Sequence, residues 1–137
     1  MPLARARRQG DPVDFSSRRL ADVTVVMPVG QIDHPNAQQL QQALAPILDQ
    51  AAAEKTPLLL DFTGVEYISS MGLRVLMVAA KQMRGGSARI AVAALRPVVE
   101  EIFEIARFKH VLEVFPSVRA ALQALSAPAL ALYDAVQ

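Results

Sequence analysis

The 137-residue sequence has no cysteine, no tryptophan, two histidines and only 5% aromatic side chains. Without cysteine there are no disulfides and no thiolate metal sites. His34 and His110 stand in no ligand spacing, which argues against a zinc or haem centre. Neither the Gly-x-x-x-x-Gly-Lys nor the Gly-x-Gly-x-x-Gly phosphate pattern occurs. The Gly85-Gly86 pair follows a helical run and reads as helix-ending chemistry. Long hydrophobic runs are missing as well: the uncharged stretch at 120–133 has 14 residues and contains Pro128, too short to cross a bilayer. The N-terminal arginines are not followed by the apolar segment of a secretory signal. These absences lead to the expectation of a soluble cytoplasmic protein with no cofactor, no metal and no membrane span.

Charge of one sign is scarce overall but unevenly placed. The net charge is +1, yet Arg5, Arg7, Arg8, Arg18 and Arg19 crowd the first twenty residues, opposed by Asp11 and Asp14. Residues 21–137 carry nine basic and eleven acidic side chains, a net of −2. Residues 1–13 show no apolar period and read as a flexible basic tail. No aromatic residues interleave with its arginines as a base-stacking surface needs, so direct nucleic-acid binding is the weakest functional reading.

What is abundant is apolar: 53% of residues, enough for one domain with a two-sided sheet. Strands are expected at 15–20 and 23–29, with Pro28 at a strand end or an edge. A turn over 30–36 follows, with Asp33 or His34 as helix cap and Pro35 early in the helix. Ala37, Leu40, Leu44, Ile47, Leu48 and Ala51 form an amphipathic stripe. Pro46 lies inside it and is expected to kink that helix or split it in two. Residues 58–61 (LLLD) read as a strand covered on both faces. A helix at 70–83 is apolar on nearly every side, so it is either deeply buried or keeps a face for a partner. A strand at 88–93 comes next. A helix then opens at Pro97, with Val98, Val99, Ile102, Phe103 and Ala106 facing inward. A strand at 111–115 and a helix at 117–125 complete the domain, and 127–137 is a C-terminal extension interrupted by Pro128. The alternation predicts an α/β fold, a mixed, mostly parallel sheet of 4–5 strands with about four helices, over residues 14–126.

The densest information lies in 58–73, LLLDFTGVEYISSMGL. Thr63-Gly64 supplies a turn, and Val65, Tyr67 and Ile68 pin the following loop onto apolar surface. Ser69 and Ser70 then open the helix. A serine there caps an orphan N–H, and the same place tolerates negative charge because the helix dipole and free N–H groups point to it. The plain reading is a cap; the functional one is a hydroxyl displayed for phosphorylation. No enzyme site stands out. The serines lack a sequence-defined base, Asp61 closes a strand by bonding loop amides, Glu66 is a surface charge, and Glu100, Glu101 and Glu104 suit a helix start.

The pattern Asp61-x-x-Gly64-Val65-x-x-Ile68-x-Ser70-x-Gly72-Leu73 resembles the signature of the STAS family, the anti-sigma factor antagonist domains. Residues 23–33 (VTVVMPVGQID) resemble that family's second strand and Gly-x-Leu-Asp turn, and 86–91 and 117–125 its later strand and closing helix. Similarity runs from about 15 to about 125. The resemblance implies a single STAS-like domain that is not an enzyme and switches partners. Its partners would be a serine-kinase anti-sigma factor or related regulator, which phosphorylates Ser70 with its own ATP, and a metal-dependent serine phosphatase. Regulatory members carry aspartate before the acceptor; here that position is Ser69, which is the second choice for phosphorylation. The expected docking residues are Thr63, Gly64, Ser69, Ser70, Met71, Arg74, Val75 and Val78, with Arg74 either near a phosphate on Ser70 or simply solvated. Other family members imply an alternative, a constitutive accessory subunit of a transporter ATPase with no phosphorylation cycle.

Overall fold

The computed structural model describes residues 13–136; residues 1–12 of the expected basic tail lie outside them. The element order is β1 (Asp14–Leu20), β2 (Val23–Ile32), α1 (Ala37–Glu54), β3 (Leu58–Asp61), β4 (Val65–Ile68), α2 (Ser70–Gly85), β5 (Ile90–Ala93), α3 (Pro97–Ile105), a 3₁₀ turn (Phe108–His110), β6 (Glu113–Phe115), α4 (Val118–Leu125) and α5 (Ala127–Val136). The sheet runs β1-β2-β3-β5-β6, with β4 also paired to β2. β1 is antiparallel to β2, and the other pairings among the described residues are parallel.

The triple leucine of β3 explains the layering. Leu58 and Leu60 point into the larger core, with Leu44 and Leu48 of α1, Leu76 and Ala80 of α2 and Phe103 of α3. Leu59 points the other way, into a smaller core with Val118 and Leu122 of α4 and Ala129 of α5. A central parallel strand with both faces covered has no polar side, hence the unbroken run. Val13 packs against the larger core. Residues 127–136 form a helix closing the smaller core, anchored where the Ser126 hydroxyl donates to the Asp22 carboxylate.

Several expectations need correction. Pro46 does not break α1, which continues from Ala37 to Glu54. Pro46 and Gln42 are both exposed, so the Gln42 carbonyl left without its N–H donor can be hydrated. The residue preceding α1 is Asn36, not Asp33 or His34. Asp33 and Asn36 instead bond reciprocally: each backbone N–H donates to the other's side-chain oxygen, at 3.0 and 3.1 Å. Pro28 is neither at a strand end nor at an edge. Strand β2 pairs with β3 over Thr24–Val26 and with β4 from Gly30 onward, so Pro28 falls in the gap between the two partners, where no donor is needed. Residues 65–68, expected as a loop, form β4 because β2 runs on to Ile32 and offers them an edge. On α3, Val98 and Ala106 are exposed, while Val99 and Phe103 are buried.

Phe103 ties α3 into the larger core. Its ring lies 6.4 Å from that of Phe62 and 5.1 Å from that of Phe108. Phe103→Ala should therefore lower the unfolding free energy by about 3–5 kcal/mol, measurable by urea denaturation. A loss below about 1 kcal/mol would show that α3 is not held through this ring.

Candidate functional site

The site forms where β2 and β4 end side by side. The Ser69 N–H donates to the Ile32 carbonyl at 2.7 Å, so β4 passes directly into α2. Ile32 and Ile68 are fully buried beneath the first turn of that helix. A Cβ at Gly72 would lie 2.7 Å from a side-chain carbon of each, closer than real contacts allow. Glycine is thus what lets the opening turn of α2 settle onto the strand ends, and the direction of Ser69 and Ser70 follows from that seat.

The two serines do different work. Ser69 is the N-cap: it is extended at φ −84°, ψ 170°, and its Oγ accepts from the Gly72 N–H at 3.1 Å. Ser70 is the first helical residue, is exposed, and its hydroxyl has no hydrogen-bond partner among the described residues. The neighbouring turn is held firmly. Asp61 Oδ1 accepts from the Thr63 N–H at 3.0 Å and from the Thr63 hydroxyl at 2.6 Å. The Thr63 carbonyl accepts from Arg96 Nε at 2.9 Å. The Gly64 carbonyl accepts from the Gly30 N–H at 2.9 Å, and a Cβ on Gly64 would lie 2.9 Å from Val29.

Most of the expected docking residues reach the surface. Thr63, Ser70, Met71, Arg74 and Val78 are exposed, with Ser69 and Gly64 half-buried beside them. Val75 differs from them at 5% exposure: it packs inward with Leu76 and Ala79 and reaches the surface at the floor of a depression between α1 and α2. Met77, which sequence reasoning left out of the docking surface, is 38% exposed. The apolar run 75–80 concealed which members face out, although the spacing 70, 74, 77, 78, 81 marks one side of a helix.

His34 is exposed and lines a depression of about 390 Å³ between α1 and α2, together with Gln38, Gln41 and Met71. No group of three or more His, Asp or Glu suited to a metal ion occurs among the described residues. Glu100, Glu101 and Glu104 are exposed on α3, and Glu104 lies 3.8 Å from Lys109. Among the described residues no helix is long and apolar enough to cross a membrane.

A strand-ended serine helix on a mixed sheet is the arrangement the signature implied, and the sequence matches the STAS domain family over residues 14–121. The chain belongs to the STAS family. BtrV of Bordetella bronchiseptica, named as a candidate anti-sigma factor antagonist, is 38% identical over 87 residues, 64% of this chain and 70% of that protein. An anti-sigma factor antagonist of Mycobacterium paratuberculosis has the same fold at 23% identity and TM-score 0.73, covering 84% of this chain and 95% of that one. The phosphorylated form of SpoIIAA from Bacillus matches at 14% identity and TM-score 0.62, covering 82% and 100%. At such identities the solved structures speak for the fold alone.

Within this STAS domain the roles of cap and displayed hydroxyl are separable by mutation. Ser69→Ala should lower stability by about 1 kcal/mol through loss of the cap. Ser70→Ala should change it by less than about 0.5 kcal/mol. Urea midpoints in the opposite order would reverse the assignment.

Proposed function

We propose that this STAS domain is an anti-sigma factor antagonist that switches partners through a phosphate on Ser70. Unmodified, it binds a serine-kinase anti-sigma factor or related regulator. That kinase transfers phosphate from its own ATP to the Ser70 hydroxyl, and a metal-dependent serine phosphatase removes it. The chain contributes a substrate hydroxyl and a docking surface, not a catalytic group.

The observation that carries this reading is the division between the serines. Because Ser69 is committed to capping, the hydroxyl left free at the start of α2 is that of Ser70. The position that is aspartate in regulatory relatives loses a negative charge here but not its capping role, since Asp and Ser cap equally well. The identity to BtrV supports the antagonist assignment. SpoIIAA shows that a protein of this fold can carry a phosphate.

The physics of release is electrostatic. Phosphate adds about −1.5 to −2 charges at neutral pH. The exposed helix start tolerates them; a closed interface must desolvate them. A penalty of only ~2.8 kcal/mol weakens binding a hundredfold. The docking surface comprises Thr63, Gly64, Ser69, Ser70, Met71, Arg74 and Val78, with Met77 taking the place expected of Val75.

Incubation with the partner kinase and ATP, followed by mass spectrometry, should place phosphate on Ser70. Ser70→Ala should abolish incorporation, and Ser70→Asp should weaken kinase binding roughly a hundredfold. Undiminished incorporation into Ser70→Ala, or unchanged affinity of Ser70→Asp, contradicts the proposal. So does a stable complex with a transporter ATPase in which Ser70 is never modified.

A further inference from the structure

The exposed side of α2 does not face open solvent alone. It forms one wall of a groove of about 430 Å³, whose far wall is the end of α3 and the 3₁₀ turn that follows. Leu73, Met77 and Val78 line it from α2, and Ala106 and Phe108 from the other side. Ile105, next to Ala106, is 78% exposed, and Val98 on the same helix is 54% exposed. Exposed apolar side chains gathered in one trough, as Met77, Val78 and Ala106 are, mark an interaction surface rather than random exposure.

Its charge is of one sign. The charged residues lining it are Arg74 and Lys81, both exposed and neither in an ion pair among the described residues. They stand seven residues apart, two helical turns on the same side of α2, about 10 Å along its axis. Ser70 lines the same groove at its N-terminal end. From Ser70 to Lys81 the trough runs about 16 Å, three turns of helix. No strand residue lines it, so an occupant gains from side-chain ridges rather than from strand pairing.

We propose that this groove receives an acidic amphipathic helix of the partner, about three turns long. Its apolar ridge packs on Met77, Val78 and Ala106, and two carboxylates seven residues apart pair with Arg74 and Lys81. This deepens the switch reading above and rests on it for the role of the phosphate. A phosphate on Ser70 sits four residues before Arg74, the spacing at which helix side chains meet. It recruits that guanidinium and places like charge at the mouth of a groove built for carboxylates. Modification thus removes a cation and adds repulsion together.

The test does not require the kinase. The probe is a synthetic helix-forming peptide with a leucine ridge and glutamates seven residues apart, compared with its lysine-substituted counterpart. Each is titrated into ¹⁵N-labelled full-length protein and followed by NMR. The glutamate peptide should shift amides at 73–81 and 105–108, and bind roughly tenfold more tightly than the lysine peptide. Lys81→Glu, an exposed change that leaves the fold intact, should reverse that preference. Ser70→Asp should weaken the glutamate peptide alone. Equal affinity for both peptides, shifts centred on His34 and Gln41 in the α1–α2 depression, or indifference to Lys81→Glu overturns the proposal. If Ser70 proves unmodified by any kinase but the peptide preference holds, the groove assignment survives and the switch reading falls.

Discussion

The contact on which the site depends is the seating of one helical turn on two strand ends. Gly72 carries no side chain, so α2 approaches Ile32 and Ile68 closely enough for the Ser69 N–H to reach the Ile32 carbonyl. With a methyl group in the way, either the isoleucines or the helix must move, and well-packed cores resist such shifts. The seat fixes the register of the helix start. Register decides that the residue before the helix turns its hydroxyl back to Gly72, and that the next one turns outward.

Around this contact the fold is rigid where the chemistry needs it. The strands β2 and β4 end together and are parallel, which places the site at their carboxyl ends, as is usual in open α/β sheets. The turn beside it is tied to Asp61 and Arg96. A modification at Ser70 is therefore cheap for the domain, because the side chain is solvated and the helix start favours negative charge. The same charge is expensive for any surface that covers it. In the proposed switch, selectivity between free and bound states comes from that difference, with no conformational change required of the STAS domain.

Much of this was legible in the sequence. The run of three leucines announced a two-faced strand, because a strand with no polar side has nowhere to meet water. The serine pair before an apolar helix announced a cap, and the spacing of Asp61, Gly64, Ser70 and Gly72 announced the family. What was not legible depended on tertiary partners. Strand β4 exists because β2 extends to Ile32, and Pro28 is tolerated mid-strand because β3 and β4 leave a gap beside it. Neither fact is local. Val75 and Met77 fall on different sides of the helix by spacing, but which side is covered depends on where α1 packs. The groove between α2 and α3 was hidden for the same reason: Ala106 was expected inside, and its exposure opens the wall that faces Met77 and Val78.

The most direct measurement is amide hydrogen exchange on the unmodified and Ser70-phosphorylated proteins, each with and without the proposed serine-kinase partner. The unmodified protein should gain protection across 63–78 when the kinase is added, and the phosphorylated protein should gain none there while keeping its own exchange pattern in the sheet. Equal protection in both forms, or protection confined to a surface remote from Ser70, would contradict the claim that the displayed hydroxyl lies inside the partner's footprint.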